Sequence, residues 1–208
     1  MSPKSLLLAA LAAIACLPAW GQAFSIPQAA QPYRAELTRQ ARLVWGLDAP
    51  VADFAGQVHQ ESLWRADAVS RVGAQGMAQF MPATAKWWCD LHRLSPAECQ
   101  PTNPAWALRA MAGYNRWIWD RVPGVPDECH RMAFTLSAYN GGLGWVQRDR
   151  RLAASQGLDA SRYWGHVETV NAGRAQWAIR ENRDYPRRIL YQHAPRYAAA
   201  GWGRSTCK

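Results

Sequence analysis

Proline and glycine punctuation divides this chain into helix-length segments. Asp48-Ala49-Pro50 combines a capping carboxylate with a proline suited to a first helical turn. Val51, Phe54, Ala55 and Val58 follow at i, i+3, i+4 and i+7, the spacing of one buried helix face. Pro82 opens another segment, carrying Trp87 and Trp88, and Asn103-Pro104 opens one that runs to about Trp119. Beyond "VPGVP", residues 127–140 keep the helical period through Met132, Leu136 and Tyr139 and close on Gly141-Gly142, a favoured helix end. Residues 144–156 read as a basic helix, and residues 157–175 are ambiguous. A last helix runs from about Trp177 to Leu190, with a kink or break at Pro186. Residues 70–82, "SRVGAQGMAQFMP", lack this period. Gly73 and Gly76 there suit a loop or short irregular hairpin. The pattern predicts a mainly α domain with a short irregular or β-like segment near residues 68–80.

Lys4, the apolar run 6–17 and "PAWGQA" have the layout of a secretory signal peptide covering residues 1–23, too short for a comfortable membrane span. Its removal leaves 185 of the 208 residues, enough for one well-cored domain. The expected division is a lead-in helix at 24–47, a domain at 48–200 and a tail at 201–208 tied down by Cys207. Without Lys4 the formal charge falls from +9 to +8, which suits a polyanionic partner. In an exported chain, in the periplasm or cell envelope, wall and membrane surfaces come before nucleic acid, and no nucleic-acid partner is expected. Peripheral membrane contact would follow if Cys16 carried lipid.

Cys89, Cys99, Cys129 and Cys207 remain beyond the signal, an even count that reads as two disulfides. Three pairings are possible, and closeness in sequence favours Cys89 with Cys99 and Cys129 with Cys207. Cys89-x-x-His92 and Cys129-His130 lack a recognised zinc spacing, so no metal and no cofactor is expected.

Extending the Phe54 and Val58 stripe by three residues reaches Glu61. Either the helix ends near Val58 and Glu61 lies in solvent, or a carboxyl sits in a cleft wall, where desolvation keeps it protonated as a general acid. His59-x-Glu61 matches half of the zinc deaminase signature, but the required Pro-Cys-x-x-Cys is missing.

The neighbouring residues favour the acid. "ESLWRADAVSRVGAQGMAQFMPATA", residues 61–85, resembles the signature of the soluble lytic transglycosylases, which cleave peptidoglycan glycan strands on a lysozyme-like fold. Glu61-Ser62, Ser70, Gly73-Ala74, Gly76-Met77-Ala78-Gln79 and Met81-Pro82-Ala83-Thr84-Ala85 carry the likeness. Ala138-Tyr139-Asn140-Gly141-Gly142 resembles the family's Ala-Tyr-Asn motif, and Glu181-Asn182-Arg183-Asp184-Tyr185 its late Glu-Thr-x-x-Tyr, in the same order. The resemblance spans about residues 51–190. Asn182 stands for the usual Thr, Met77 for the usual Leu, and Pro186 follows Tyr185.

The resemblance implies a single lysozyme-like domain whose Glu61 is the lone general acid and base. The substrate's N-acetyl group would supply the nucleophile and a 1,6-anhydro sugar would be the product. It further implies that Ser62, Ser70, Gln79, Tyr139, Asn140 and Tyr185 bind substrate or support the acid. Tyr139 is expected to orient Glu61, Tyr185 to line the cleft opposite it, and Glu181 to make a structural ion pair. Among the 12 tryptophans, one or two of Trp64, Trp145 and Trp164 would meet glycan. A hydrolytic lysozyme, which needs a second carboxylate near the cleft, and a wall-binding scaffold are the alternatives. The chain's size suggests service to a secretion or conjugation apparatus.

Overall fold

The computed structural model describes residues 25–207; the expected signal peptide and Cys16 lie outside them. A 3₁₀ turn at Gln28–Tyr33 leads into α1 (Arg34–Trp45), followed by α2 (Val51–Ser62), α3 (Pro82–Leu91) and α4 (Pro104–Trp119). Then come α5 (Glu128–Gly141), α6 (Leu143–Ser155) and α7 (Gln176–Arg188), and a π turn at Ile189–His193 joins α7 to α8 (Ala194–Ala199).

The position of α2 explains why the site is where it is. Residues 51–58 are all buried, so this helix is core on every face until its last turn. α1 packs on one side of it, and α8 with the π turn on another. α5 is the second axis, touching α4, α6 and α7 and burying Met132, Phe134 and Leu136. The expected lead-in helix is part of this core: Leu37 and Ala41 are fully buried, and the Trp45 indole N–H donates to the Ala112 carbonyl at 2.9 Å.

Side-chain caps set the starts of α4 and α5. Asn103 caps α4 by accepting from the Ala105 and Trp106 amides at 3.0 and 3.2 Å, and Asp127 caps α5 through the His130 amide at 2.8 Å. The start of α2 differs from the sequence expectation. Pro50 is its N-cap and supplies no side-chain bond, while Asp48 pairs instead with Arg204 at 3.0 Å. The C-terminal tail closes that end. Ala52 N–H donates to the Arg204 carbonyl at 3.2 Å, and the buried Asp53 carboxylate accepts from the Ser205 and Thr206 hydroxyls at 2.6 and 2.7 Å. Burial pushes Asp53 up to about 6, against the pull of those bonds.

Disulfides join Cys89 to Cys99 and Cys129 to Cys207, the pairing favoured above. The sulfurs of the weighed metal motifs are therefore engaged. His92 packs on Trp88, and His130 Nδ1 accepts from the Tyr163 amide at 2.9 Å. Pro186 does not end α7, which continues two residues past it before the π turn. The irregular segment is real: bridges pair Val69 with Gln75 and Gln75 with Phe80, and the described residues form no longer strand. No helix among the described residues is long and apolar enough to cross a membrane.

Candidate active site

Glu61 lies on the last turn of α2, where the helix leaves the core. The chain turns there through two non-glycine residues of left-handed conformation, Leu63 (φ 54°) and Trp64 (φ 67°). Such residues are uncommon outside glycine and persist only where their surroundings hold them. Trp64 is buried, its indole N–H donating to the Tyr197 hydroxyl at 2.6 Å, and the Ser62 hydroxyl donates to the Met77 carbonyl at 2.8 Å. Ser62 therefore fastens α2 to the irregular segment and does not face the cleft.

A cleft of about 230 Å³ opens beside Glu61, walled by Ser70, Gln79, Phe80, Tyr139, Asn140 and Glu181 among others. A neighbouring hollow of about 410 Å³ shares Asn140 and Glu181 with it and adds Trp145 and the exposed Trp177, so the two form one groove. Gln79 (φ 49°) reaches the wall because its amide nitrogen donates to the Gly76 and Ala68 carbonyls, at 2.8 and 3.2 Å. Gly76 is indispensable to that turn. Its φ of 72° suits glycine, and a Cβ there would overlap the Pro101 carbonyl. Ser70 accepts the Ala74 amide at 2.9 Å.

Desolvation raises Glu61 to about 8, the nearby Glu181 charge adds to it, and a hydrogen bond from Tyr185 partly opposes both. Glu61 keeps some solvent contact, and its raised value makes it a protonated carboxyl at neutral pH on the wall of an open cleft. The Tyr185 hydroxyl donates to Glu61 Oε1 from a buried place behind it, not across the cleft as expected. The bond expected from Tyr139 goes elsewhere, because the Tyr139 hydroxyl donates to the Ala78 carbonyl at 2.8 Å. Tyr139 still lines the cleft and packs on Tyr114 and Phe80.

Asn140 Oδ1 accepts from Asn182 Nδ2 at 3.0 Å. Asn182, a departure from the resembled motif, is buried and also bonds the Ser137 hydroxyl and carbonyl, each at 2.8 Å. Gly141 makes room for it, since a Cβ there would press on the Asn182 amide and the Arg174 guanidinium. Glu181 makes no ion pair among the described residues and stands in the groove wall instead. Of the tryptophans considered, Trp145 alone lines the groove. Trp64 is core, and Trp164 packs on Tyr163 and Tyr191. Within the basic helix, Arg148 covers Trp145, and Arg150 donates to the Ala160 carbonyl at 2.8 Å.

Sequence reasoning missed Gln57, Asn115 and Trp177, and gave Glu181 a structural role instead of a place in the groove wall. Gln57 could have been noticed as a lone amide inside the apolar stripe, one turn before Glu61.

The family described as Transglycosylase SLT domain matches residues 53–160. Membrane-bound lytic murein transglycosylase F of Shewanella pealeana is 32% identical over 141 residues, covering 68% of this chain and 26% of that protein. The chain thus spans about a quarter of the length of the relatives it matches. Among solved structures, the lytic transglycosylase Slt of Pseudomonas aeruginosa, an inactive Glu-to-Gln mutant, superposes with a TM-score of 0.58 at 23% identity. That superposition covers 85% of this chain and 25% of that one. The 70 kDa soluble lytic transglycosylase of Escherichia coli gives 0.57 at 21%, covering 84% and 25%. These two likenesses show the fold.

Proposed function

The chain belongs to the Transglycosylase SLT family, and from that premise we propose that it is an exported lytic transglycosylase cutting the β-1,4 bond between N-acetylmuramic acid and N-acetylglucosamine in peptidoglycan. The observation that carries this reading is Glu61 itself, a carboxyl held protonated at neutral pH in the wall of an open groove.

Glu61 gives its proton to the leaving glycosidic oxygen while the muramyl N-acetyl oxygen closes on the anomeric carbon. The resulting carboxylate then takes the proton of the sugar's 6-hydroxyl, whose oxygen attacks the same carbon and displaces the N-acetyl oxygen. The product is 1,6-anhydro and no water is consumed. The cleft residues suit these steps. Both bonds of the Gln79 amide nitrogen go to the backbone, which leaves Oε1 to accept the substrate's N–H. Ser70 accepts a backbone N–H and keeps its own hydrogen for the N-acetyl carbonyl. Asn140 takes its bond from Asn182 on Oδ1 and keeps Nδ2 for the sugar. Ser62 and Tyr139 hold the wall by bonding the Met77 and Ala78 carbonyls, and Tyr185 holds the acid. The glutamate-to-glutamine exchange in the inactive Pseudomonas aeruginosa enzyme is of the same kind as the loss expected at Glu61. The two disulfides and the membrane-bound description of the relatives support an envelope location.

Glu181 supports one second reading. It is a second carboxylate in the groove wall, close enough for its charge to raise Glu61, as a hydrolytic lysozyme would require. Mass spectrometry of soluble products from purified peptidoglycan separates the two. Anhydro muropeptides from the wild type and from Glu181→Gln, absent with Glu61→Gln, are expected. Reducing-end products lost in Glu181→Gln would install the hydrolase, and no product from the wild type would leave a wall-binding scaffold.

A further inference from the structure

Behind Glu61 runs a line of buried polar groups that the mechanism above does not use. Asn115 in α4 and Gln57 in α2 are both fully buried, in surroundings that are otherwise apolar. Asn115 Nδ2 donates to Gln57 Oε1 at 2.6 Å, Gln57 Nε2 donates to the Tyr185 hydroxyl at 3.2 Å, and that hydroxyl donates to Glu61 Oε1. Every bond points the same way, toward the acid.

Direction matters, because the same atoms could be linked in reverse. A protonated Glu61 would then donate to Tyr185, Tyr185 to Gln57 Oε1, and Gln57 Nε2 to Asn115 Oδ1. The acid's proton would be spent inside the protein. The Asn115 end decides between the two. In the observed direction one of its amide hydrogens finds an acceptor, while the other hydrogen and the carbonyl oxygen do not. Reversed, both hydrogens of its amide would be buried without acceptors, and orphaned N–H groups are the rarer and costlier case.

We propose that Gln57 and Asn115 are positioning residues for the acid: their one-way amide chain keeps Tyr185 a donor and Glu61 Oε1 an acceptor, so the transferable proton sits on Oε2 and faces the groove. The inference rests on Glu61 being the acid. The other ionisable groups around Glu61 are Glu181 and Tyr185 from α7, Tyr139 from α5 and Tyr114 from α4. None of them reaches Gln57 except Tyr185.

The test is a carbon-13 NMR titration of the Glu61 carboxyl, which needs no activity and so fails separately from the functional reading. Gln57→Met keeps the side-chain length and removes the donor. The Tyr185 hydroxyl is then a poorer donor to the carboxylate, and the Glu61 midpoint rises by about half a pH unit or more. In a Tyr185→Phe background the same exchange has no conductor and leaves the midpoint in place. Equal midpoints in wild type and Gln57→Met, or an equal rise in both backgrounds, would overturn the proposal. Melting curves accompany each titration. Should Gln57→Met not fold, Asn115→Leu, which removes only the group orienting the Gln57 amide, is expected to move the midpoint the same way by less. No movement there overturns the proposal equally.

Discussion

At the scale of single residues, the candidate acid and the cleft beside it were legible because the motifs that carry them are contiguous in sequence. Glu61, Ser70, Gln79 and Asn140 stand in contiguous motifs, and the structure brings all four to one groove. The partner of the acid was not legible in the same way. Whether Tyr139 or Tyr185 bonds Glu61 depends on how α5 and α7 pack, and no spacing along the chain decides it. The consequence is testable by pH. If Glu61 is the acid proposed above, it acts only when protonated, so the rate of product release is expected to be full below its value of about 8 and to fall as pH rises through it. Tyr185→Phe removes the bond that lowers Glu61, which moves this limb to higher pH. It also costs about tenfold in rate, the equivalent of roughly 1.4 kcal/mol of lost positioning, measurable in product-release profiles from pH 5 to 10.

At the scale of elements, helix starts that depend on adjacent residues were read correctly, and the one that depends on a distant segment was not. Asn103 caps α4 as its position suggests, while the start of α2 is finished by residues 204–206. The π turn at Ile189–His193 left no readable sign either, since it arises where α7 must meet α8 against α2. The irregular segment was legible as irregular. Gly76→Ala forces a Cβ into the Pro101 carbonyl at a left-handed position, and displaces the turn that holds Gln79. A loss of about 2 kcal/mol or more in urea unfolding is expected, with activity falling further than stability alone explains.

For the whole molecule, function and stability oppose each other at Glu61. The fold raises this carboxyl above its ordinary 4.5, so the folded state holds the proton more tightly than the unfolded chain does. The associated stability is complete below about 4.5 and is lost as pH rises toward 8. Asp53 follows the same sign, but its loss is complete by about 6. Between pH 6.5 and 8.5 Glu61 contributes a falling slope, while His59, His130 and His193, held below their ordinary value of 6.5 by burial, contribute a rising one that fades above it, so the comparison is made as a difference between variant and wild type. Glu61→Gln is therefore expected to melt a few degrees above wild type at pH 8.5, with a smaller gap at pH 6.5, by calorimetry at both. The disulfide from Cys129 to Cys207, spanning 78 residues, fastens the tail to the first turn of α5. Replacing both cysteines with serine costs about 4 kcal/mol on the chain-entropy scale and frees the tail, seen as a lower melting temperature and as earlier proteolysis at residues 201–207.

The tail's grip on Asp53 has a consequence in time. Ser205 lies 152 residues downstream of the carboxylate it bonds, so a chain emerging from its N-terminus exposes α2 long before the group that closes that helix exists. Through most of its own emergence, the helix bearing Glu61 is open at one end, with a charged aspartate where the finished molecule is dry. The helix that bears Glu61 is thus secured only after residues 204–207 have emerged, and a truncated copy that lacks them leaves it unsecured.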